Sequence, residues 1–488
     1  MTPRTPSEDS RSRALAAIVL AAGKGTRMRS ARAKVLHEIG GVPMIVRAMR
    51  AIAPLKPRPL AVVAGHRARE VEASARPHAG AFVKFAVQEP QRGTGDAVRC
   101  ALGAIPANFV GDVLIAYGDM PRLSTATLRE FAAAHRASGA KLSFASLKLT
   151  EPAEYGRVIR NAAGAVVKIV EARDASPEER AIDEINTGVY LADADLLRTA
   201  IAELRPDNAQ GEYYLTDIVG IAHARGIEVQ AWRAHNPAEF AGINSREEMA
   251  AMEAQIRETV NRKLMESGVT LIDPATAYIS EAAEIAPDCE IGPNVQIIGN
   301  CRIAEGVRID GTAWLSNVTI GPRCHLKIGV RAEDCRIGEE SEVGPFAHLR
   351  AGTELEGHNR IGNFVETKQA KIGRGTKASH LSYLGDTEIG RDTNIGCGVI
   401  TVNYDGFEKH RTEIGDRCMI GCDTQLIAPI KVGDDVYVAS GATIVRPVPD
   451  GALALSHHPQ REKRGWMAKW RKRHGEAPKS KAKAKRAG

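Results

Sequence analysis

Branched aliphatic side chains recur at every sixth position over much of the second half of the chain. The positions are Ile285, Ile291, Ile297, Ile303 and Ile309, then Ile337, Val343, Leu349, Leu355 and Ile361, and then Ile414, Ile420, Leu426, Val432, Val438 and Ile444. An α-helix cannot keep this phase, because six residues do not complete a whole number of turns, and a simple strand repeats every two residues. The pattern predicts a parallel β-helix, in which each six-residue unit forms one flat side and the aliphatic side chains stack into a continuous core.

Glycine frequently follows the aliphatic residue, as in Ile291-Gly292 and Ile337-Gly338. Repeats of this I-G-x-x-x-x form resemble the hexapeptide family of left-handed β-helices. The resemblance implies the left hand of the coil and a homotrimer with parallel axes. The aromatic content of 5% agrees with a narrow solenoid, since its interior has little room for rings.

Five of the eight cysteines are explained by the repeat. No CxxC pair occurs in this long chain, so the sequence predicts neither a disulfide framework nor a metal site from them. Five of them occupy corner positions, where a small side chain is favoured: Cys289, Cys301, Cys324, Cys335 and Cys418. We therefore expect these five to be buried.

Residues 14–245 show a different pattern. Short apolar runs at residues 17–20, 60–63, 113–117 and 142–147 alternate with helix-like stretches such as residues 43–52 and 125–137. This alternation predicts a Rossmann-like α/β domain with a mostly parallel sheet covered on both faces. Ligands of such a domain bind at the carboxyl ends of the strands.

A single amphipathic helix is predicted to connect the two domains. Residues 245–248 read S-R-E-E, which is a capping box, and apolar residues follow at spacings of three and four until Gly268. The expected organisation is an α/β domain over residues 14–245, a connecting helix over 246–266 and a β-helix over 267–460. We expect residues 1–13 and 461–488 to be disordered.

The net charge of +7 is concentrated at the C-terminus, because residues 461–488 contain 12 Lys or Arg and 2 Asp or Glu. Such a tail is typical of a solubilising segment, and a nucleic-acid-binding arm, which steep salt dependence would reveal, is the less favoured alternative. No apolar run approaches the roughly 18 residues of a membrane span, and the polar N-terminus is unlike a signal segment. We expect a cytoplasmic protein without a nucleic-acid or membrane partner.

A glycine-rich turn follows the first apolar run, where residues 20–28 read L-A-A-G-K-G-T-R-M. Glycines let backbone N–H groups approach phosphate oxygens, and the cations Lys24 and Arg27 offset the charge of a triphosphate. The turn by itself matches neither the Walker A motif nor the dinucleotide-binding fingerprint. The complete string resembles the signature of the sugar-nucleotide pyrophosphorylases.

Further segments occur in the order of that family: Gln88 with R-G-T-G-D-A at 92–97, Y-G-D at 117–119, Y-G-R at 155–157, Glu171, I-N-T-G at 185–188 and G-I-N at 242–244. The resemblance implies that Gln88 and Gly93 contact uracil. It implies a combined binding set for UTP and N-acetylglucosamine 1-phosphate of Leu20, Ala21, Ala22, Gly23, Lys34, Gln88, Gly93, Thr94, Tyr117, Gly118, Asp119, Gly156, Glu171, Asn186 and Asn244.

The resemblance also implies that Asp119 and Asn244 hold one Mg²⁺, which is a normal site when phosphates and waters complete it. The implied reaction is attack by the phosphate of N-acetylglucosamine 1-phosphate on the α-phosphorus of UTP, with release of pyrophosphate. No covalent nucleophile is needed, and Lys34 and Arg27 would act catalytically by stabilising the developing charge. Ala33 departs from the family pattern, which commonly has proline before the lysine.

The six-residue phase breaks at residues 377–388 and 403–413, and interruptions of a solenoid are typical of binding loops. The first break contains His380 and Tyr383 in A-S-H-L-S-Y-L-G-D, and the second opens with Asn403 and Tyr404. These strings resemble the acetyltransferase half of the bifunctional bacterial enzymes that make UDP-N-acetylglucosamine for peptidoglycan and lipopolysaccharide. Both halves together extend the resemblance over about residues 14–460.

This resemblance implies glucosamine 1-phosphate binding by Arg350, Lys368, Tyr383 and Asn394, and acetyl-CoA binding by Cys397, Asn403, Tyr404, Cys422, Ser440 and His457. His380 would be the general base, because the 2-amino group must lose a proton as it attacks the thioester and an imidazole suits that task. Departures from the family pattern are Cys397 for Ala, Val399 for Thr, Cys422 for Ser and His457 for Arg. They affect coenzyme affinity rather than chemistry, and the two thiols predict sensitivity to alkylation.

The alternative interpretation is a sugar nucleotidyltransferase with one activity, whose β-helix only assembles trimers or regulates. The residues of the two phase breaks discriminate between the interpretations. A purely structural coil has no reason to interrupt itself with His380, Tyr383, Asn403 and Tyr404. The sequence therefore favours a bifunctional enzyme that uses acetyl-CoA and UTP as co-substrates.

Overall fold

The computed structural model describes residues 13–456 and 460–475. The chain forms two compact units, Met1–Val260 and Asn261–Gly488, and the division falls within the predicted connecting helix. Residues 1–12 of the segment predicted to be disordered at the N-terminus lie outside the described residues, and so do His457 and residues 476–488 of the tail.

Within the described residues, the first unit contains a nine-stranded sheet. Its strands are β1 (Leu15–Ala21), β2 (Leu60–Ala64), β3 (Val83–Val87), β4 (Asp112–Tyr117), β5 (Leu142–Lys148), β6 (Arg157–Arg160), β7 (Val166–Val170), β8 (Glu184–Asp193) and β9 (Val229–Arg233). The strand order is β9-β5-β8-β4-β1-β2-β3, and β6 pairs with β8 and β7. Along the main path only β8 runs antiparallel to its neighbours, so the predicted mostly parallel α/β sheet is confirmed.

The helices of this unit are α1 (Met44–Ile52), α2 (Ala68–Ala75), α3 (Thr94–Leu102), α4 (Thr125–Ser138), α5 (Pro177–Arg180), α6 (Ala194–Glu203) and α7 (Asp217–Ala224). A two-strand hairpin joins Glu38–Ile39 to Val42–Pro43, and 3-10 turns lie at Thr26–Met28, Lys34–Leu36, Ala53–Leu55, Arg76–His78 and Pro237–Glu239.

Strand β1 shows why both faces of the sheet are covered. Side chains alternate across a strand, so Val19 and Ile18 point to opposite faces. Val19 belongs to a buried cluster with Met49 of α1 and Phe131 of α4, whereas Ile18 belongs to a second cluster with Leu197 of α6. Burial of each such side chain stabilises the fold by about 1.5–3 kcal/mol. The two cores hold the strand ends in fixed positions for the site.

Helix α8 (Arg246–Glu266) is the predicted connecting helix. Its start carries the predicted capping box, because Glu248 N donates to Ser245 Oγ at 3.1 Å and Ser245 N donates to Glu248 Oε2 at 3.3 Å. Met252 and Ile256 of the helix are buried in the first unit against Met44.

The second unit is a parallel β-helix, as the six-residue period predicted. Its strands are Thr270–Leu271, Tyr278–Ile279, Glu284–Ile285, Glu290–Ile291, Val295–Ile298, Arg302–Ile303, Arg308–Ile309, Ala313–Ser316, Thr319–Ile320, His325–Leu326, Arg331–Glu333, Arg336–Ile337, Glu342–Val343, His348–Leu349, Glu354–Leu355, Arg360–Ile372, Lys377–Ile389, Asn394–Ile395, Ile400–Val402, Thr412–Ile414, Met419–Ile420, Gln425–Ile427, Ile430–Val432, Tyr437–Val438, Thr443–Ile444 and Leu453–Ala454. Each aliphatic side chain of the period stacks on the one a full coil away, as Ile291 does on Ile309. All five predicted corner cysteines are buried.

The first of the two predicted interruptions is not a loop. Residues Lys377–Ile389 form one continuous strand that pairs in register with Arg360–Ile372. Val343 pairs with Ile361, 18 residues on, but Ile361 pairs with Ala378 after only 17 residues. A coil shortened by one residue shifts the sequence phase without expelling a loop, so the prediction of a binding loop at residues 377–388 was wrong.

The second interruption is a true insertion. Ile395 pairs with Ile420 after 25 residues rather than 17 or 18, and the excess lies between the strands Ile400–Val402 and Thr412–Ile414. We call residues 403–411 the insertion loop. Asp405 organises it, because Asp405 Oδ1 accepts from the backbone N–H groups of Phe407 and Glu408 at 2.8 and 2.7 Å.

The tail differs from the prediction of disorder where it is described, because Trp466–His474 form a helix, α9. The residues of α9 are exposed, and the rings of Trp466 and Trp470 stack with centroids 6.4 Å apart. In the described parts of the chain no helix combines the length and the apolar composition that crossing a bilayer requires.

Candidate active sites

A cavity of about 530 Å³, cavity 1, opens at the carboxyl ends of β1, β3 and β4 in the first unit. Leu20 at the end of β1 pairs with Tyr117 at the end of β4, and Gln88 directly follows β3. The predicted residues that line cavity 1 are Leu20, Ala21, Ala22, Gly23, Lys34, Gln88, Gly93, Thr94, Tyr117, Asp119 and Asn244. The fold therefore gathers residues that are far apart in sequence at the strand edge expected to bind ligands.

The glycine-rich turn packs directly on the segment that carries Lys34. Gly25 has φ +60°, and a Cβ there would lie 2.7 Å from Lys34 Cβ, so only glycine fits both the conformation and the space. Ala33 has φ −59°, close to the value that a proline imposes. The backbone before Lys34 thus has the shape expected of the family pattern without the proline.

Lys34 lies between the two predicted metal ligands. Its Nζ donates to Asp119 Oδ2 and, at 3.0 Å, to Asn244 Oδ1. The carboxylate and the amide oxygen therefore converge on one point that already holds a positive charge. Oxygen donors of these two kinds suit a hard divalent cation, so the residues present fit such an ion.

A second cavity of about 370 Å³, cavity 2, adjoins cavity 1 and shares Tyr117, Asp119 and Asn244 with it. Arg27, Gly156, Glu171 and Asn186 are the other predicted residues along it. The bulge of β8 between Asn186 and Tyr190 shapes this wall, and Gly188 in the bulge has φ +88°. A Cβ at Gly188 would lie 2.4 Å from the Tyr117 ring, so the bulge requires glycine.

Burial shifts the pKa values of two groups that line cavity 2. It raises the pKa of Tyr117 far above its ordinary value, so the phenol remains a hydrogen-bond donor. Burial also raises the pKa of Glu171, although Thr216 Oγ1, which donates to Glu171 Oε1 at 3.0 Å, partly opposes the shift. Both side chains can therefore present polar atoms to a neutral part of a ligand.

Some residues that line these cavities were not predicted from the sequence. Gln91 and Glu212 line cavity 1, and Glu212 arrives on a distant loop because Gly95 N donates to Tyr213 O at 2.8 Å. No motif or spacing in the sequence signals that contact. Gly118 lines neither cavity, and the guanidinium of Arg157, in the Y-G-R string at 155–157, donates to backbone carbonyls such as Ala153 O.

In the β-helix, five residues stack at one corner of successive coils, two positions after a core aliphatic residue. Asn363 pairs with His380. Residues before and after Cys397 pair with residues before and after His380, so Cys397 lies next to His380 on the following coil. Asp423 N donates to Cys397 O, which places Cys422 beside Cys397, and Cys422 N donates to Ser440 Oγ at 3.1 Å. We call this set, Asn363, His380, Cys397, Cys422 and Ser440, the corner column.

His380 is exposed, and its Nδ1 lies 3.2 Å from Asn363 Oδ1. With the amide oxygen of Asn363 in this position, Nδ1 donates the hydrogen and the lone pair is on Nε2. The contact thereby leaves Nε2 as the basic nitrogen, which is the arrangement that a general base needs.

A cationic cluster lies on the side of the coil that follows this corner. Lys368 is 3.9 Å from Asp386, and Asn403 Nδ2 donates to Asp386 and, at 3.4 Å, to the hydroxyl of Tyr383. Lys409 of the insertion loop reaches the same place, because its closeness to Lys368 lowers the pKa of Lys409. Two adjacent ammonium groups favour an anion, and only the three-dimensional position of the loop reveals Lys409.

Arg350 adjoins this cluster on the preceding coil. Leu349 pairs with Thr367, so Arg350 and Lys368 are neighbours on the same side, and Arg350 Nη1 donates to Glu366 Oε1 at 2.8 Å. Tyr404 lies in the insertion loop with its side chain exposed, and its hydroxyl donates to Gly406 O at 2.7 Å.

The predicted acetyl-transfer residues do not all meet within this one chain. Asn394 pairs with Lys377 on one side of the coil, whereas Tyr383 pairs with Ile400 on the next side. His380 lies at the corner between these two sides. The amide of Asn394 donates to Met419 Sδ at 3.2 Å rather than to the cationic cluster. His457 lies outside the described residues.

An apolar stripe runs beside the corner column. It consists of Ile328, Phe346, Phe364 and Leu381, whose exposed fractions are 47%, 52%, 57% and 58%. The rings of Phe346 and Phe364 stack with centroids 5.9 Å apart. Exposed apolar surface of this extent on adjacent coils is typical of a contact surface.

The fold and these sites define a two-part transferase, with a nucleotide-binding α/β unit and a hexapeptide β-helix. Family models match both parts: a MobA-like NTP transferase domain over residues 17–183, a GMPPB C-terminal domain over 274–387 and six bacterial transferase hexapeptide repeats over 411–446. The chain is 46% identical to the bifunctional protein GlmU of Pelobacter propionicus, over 94% of this chain and 99% of that protein.

Other relatives agree. The bifunctional GlmU proteins of Geobacter metallireducens and Trichlorobacter lovleyi are 47% and 46% identical, over 94% and 93% of this chain and 99% and 98% of their own lengths. The chain belongs to the GlmU family of bifunctional proteins. It is an enzyme with a nucleotidyltransferase domain and a hexapeptide acetyltransferase domain, and the interpretation as a nucleotidyltransferase of one activity is not retained. The family also indicates a divalent metal, small-molecule substrates and an oligomer.

Proposed function

We propose that the chain makes UDP-N-acetylglucosamine, a precursor of the bacterial cell wall, in two steps. The β-helix unit transfers the acetyl group of acetyl-CoA to the 2-amino group of glucosamine 1-phosphate. The α/β unit then transfers the uridylyl group of UTP to N-acetylglucosamine 1-phosphate and releases pyrophosphate. Since UTP and acetyl-CoA are cytoplasmic metabolites, we expect the enzyme to act in the cytoplasm, with neither nucleic acid nor membrane as a partner.

The observation that carries the nucleotidyl step is the junction of cavities 1 and 2 at Tyr117, Asp119 and Asn244. A nucleotide in cavity 1 and a sugar phosphate in cavity 2 would meet there, which supports direct attack of the sugar phosphate on the α-phosphorus. Lys34 lies on the cavity 1 side of this junction and Arg27 on the cavity 2 side. Their charges favour the transition state, in which negative charge accumulates on the transferring phosphoryl group.

Asp119 and Asn244 are the residues that would hold Mg²⁺, because their oxygens already converge on a cation, the Lys34 ammonium. The ion, when bound, supplies Lewis-acid neutralisation of phosphate charge. Lys34 contributes a charge that does not depend on the ion. The carboxylate of Asp119 orients this ammonium towards the junction of the cavities.

The acetyl step is supported by the cationic cluster, which contains Lys368 and Lys409, and by the adjoining Arg350, because these positive charges suit the phosphate of glucosamine 1-phosphate. His380 Nε2 would accept the proton of the amine as the nitrogen attacks the acetyl carbonyl. Asn403, beside Tyr383 at the cluster, and the exposed Tyr404 would bound the place of the thioester. Cys397, Cys422 and Ser440 of the corner column, together with His457, would contact the coenzyme.

We further propose a homotrimer in which adjacent copies complete each acetyl-transfer site. Two observations support an oligomer: the apolar stripe is exposed beside His380, and Asn394 is separated by a corner from the cluster that it is expected to join. A neighbouring coil packed on the stripe would bury it and could bring its own residues to the gap. The hexapeptide family resemblance supports three copies.

One assay tests both activities. The chain is incubated with glucosamine 1-phosphate, acetyl-CoA, UTP and Mg²⁺, and free thiol and pyrophosphate are measured together. We expect thiol release without UTP, and pyrophosphate release only when acetyl-CoA or ready-made N-acetylglucosamine 1-phosphate is present. Thiol without pyrophosphate in the complete mixture would contradict the nucleotidyl step, and pyrophosphate without thiol would contradict the acetyl step.

A further inference from the structure

The side-chain amide of Gln88 is held in one orientation inside cavity 1. Gln88 is 2% exposed, and its Nε2 donates to Gly93 O at 2.9 Å and to Asp96 Oδ2 at 2.9 Å. A backbone carbonyl and a carboxylate can only accept, so the group that faces them must be the NH₂. Both hydrogens of the amide are thereby used.

The oxygen of the same amide remains available. Within the described residues, the side chain of Gln88 makes these two hydrogen bonds, and both use Nε2 rather than Oε1. Because Gln88 lines cavity 1, Oε1 is the polar atom that it can offer to a ligand there. Gln88 therefore acts towards that ligand as a hydrogen-bond acceptor only.

Asp96 is the side chain that enforces this orientation, together with the backbone carbonyl of Gly93. It lies in the first turn of α3, is 5% exposed, and its other oxygen, Oδ1, is held by Arg99 Nη1 at 3.2 Å. If Gln88 turned over, Oε1 would face a buried carboxylate and a carbonyl. Two acceptor–acceptor contacts without water between them disfavour the reversed amide strongly, so it is excluded.

We infer that Asp96 is a positioning residue for base selection: by making Gln88 an acceptor only, it admits uridine and rejects cytidine nucleotides. This inference rests on the proposed function, because it places the base of UTP in cavity 1 against Gln88. Uracil presents an N–H donor at N3, which Oε1 can accept. Cytosine presents a lone pair at N3, which would oppose the lone pairs of Oε1, and a site built for a hydrogen bond rejects such an analogue strongly.

The test compares kcat/KM for UTP and CTP with N-acetylglucosamine 1-phosphate, in the parent and in Asp96→Asn. Asparagine has nearly the same size but can donate as well as accept, so it removes one of the two contacts that exclude the reversed Gln88 amide and leaves the contact to Gly93 O. We expect the parent to prefer UTP by a factor on the order of 10³ or more, and the variant to lose at least tenfold of this preference. Arg99→Gln is the matched control, because it removes the ion pair but keeps the carboxylate, and its preference should remain within about twofold of the parent.

Acetyl transfer by the same preparations reports whether each variant is intact elsewhere. If Asp96→Asn does not fold, Asp96→Ser, whose hydroxyl also donates or accepts, takes its place. The unmodified enzyme gives a further readout: N3-methyl-UTP, which lacks the donor, should be used at least 100-fold less well than UTP, and 5-methyl-UTP controls for the added bulk.

The outcomes separate the two proposals. No turnover of UTP by the parent would contradict the proposed function itself. A parent that uses UTP but accepts CTP or N3-methyl-UTP equally well would overturn the acceptor assignment of Gln88. A folded Asp96 variant that loses activity on UTP and CTP in equal proportion would show that Asp96 is structural only.

Discussion

His380→Ala is the change that examines the acetyl-transfer mechanism most directly. A positioned general base contributes about 10²–10⁴-fold to a rate, which corresponds to roughly 3–5 kcal/mol at about 1.4 kcal/mol per decade. Loss of the contact between His380 Nδ1 and Asn363 Oδ1 should decrease the rate by a second, smaller factor. Loss of one hydrogen bond costs about 0.5–1.5 kcal/mol, so Asn363→Ala should lower acetyl transfer about 2- to 12-fold.

Measuring the stability of these variants distinguishes a lower acetyl-transfer rate from a loss of the folded structure. The His380 side chain is exposed at a corner and is not among the core aliphatic residues, so its removal should change the free energy of unfolding by less than about 0.5 kcal/mol. The assay follows thiol release for acetyl transfer, pyrophosphate release for uridylyl transfer, and circular dichroism for thermal unfolding. Parental acetyl transfer in His380→Ala would refute the reasoning, and so would an Asn363→Ala variant more impaired than His380→Ala.

Four further predictions concern other parts of the chain. Asp119→Ala should abolish metal-dependent pyrophosphate release yet leave acetyl transfer near the parental rate, and retained pyrophosphate release would remove Asp119 from the site. Phe346→Asp puts a charge on the apolar stripe at a backbone conformation, φ +54°, that aspartate tolerates, so sedimentation should show a smaller species than the parent oligomer; unchanged sedimentation would argue against the stripe as the contact surface. Burial, helped by a neighbouring carboxylate, raises the pKa of Asp217 to about 6, so its ionisation removes stability as pH rises from about 4 through 6. Asp217→Asn should therefore stabilise the first unit by about 1–2 kcal/mol at pH 8, a figure reduced for partial exposure, and by little at pH 4, and equal effects at both pH values would contradict the shift. Brief iodoacetamide treatment should lower acetyl transfer, because Cys397 and Cys422 are exposed, and a Cys397→Ala/Cys422→Ser variant that is equally inhibited would assign the effect elsewhere.

The fold of the β-helix was predictable because its period is a property of the backbone. Every coil must place an aliphatic residue at the same height, so Ile414, Ile420 and Val438 identify the core from the sequence alone. The misinterpretation of residues 377–388 has the same origin. A corner can lose one residue while the sides continue to pair, and in sequence this is indistinguishable from the start of a loop. Only the observed pairing of Lys377–Ile389 resolves the ambiguity.

The site residues were predictable where they belong to short strings, and they were missed where packing brings them in. Gln88, Asp119 and the glycine-rich turn stand at strand ends, whose position follows from the order of the elements. Glu212 and Lys409 reach their sites on loops whose paths depend on contacts made by many other residues. The orientation of the Gln88 amide is likewise invisible in sequence, because it depends on the buried carboxylate of Asp96, eight residues away.

Helix α9 has a consequence for optical measurements on this chain. Of the four tryptophans, Trp466 and Trp470 are about half exposed on α9, and each compact unit holds one of the others, Trp232 in the first and Trp314 in the second. Emission from the two helix tryptophans should be shifted to long wavelength before any unfolding begins. A change of fluorescence on heating therefore reports on the two partly buried indoles, and Trp232→Phe would leave Trp314 as an optical probe of the β-helix by itself.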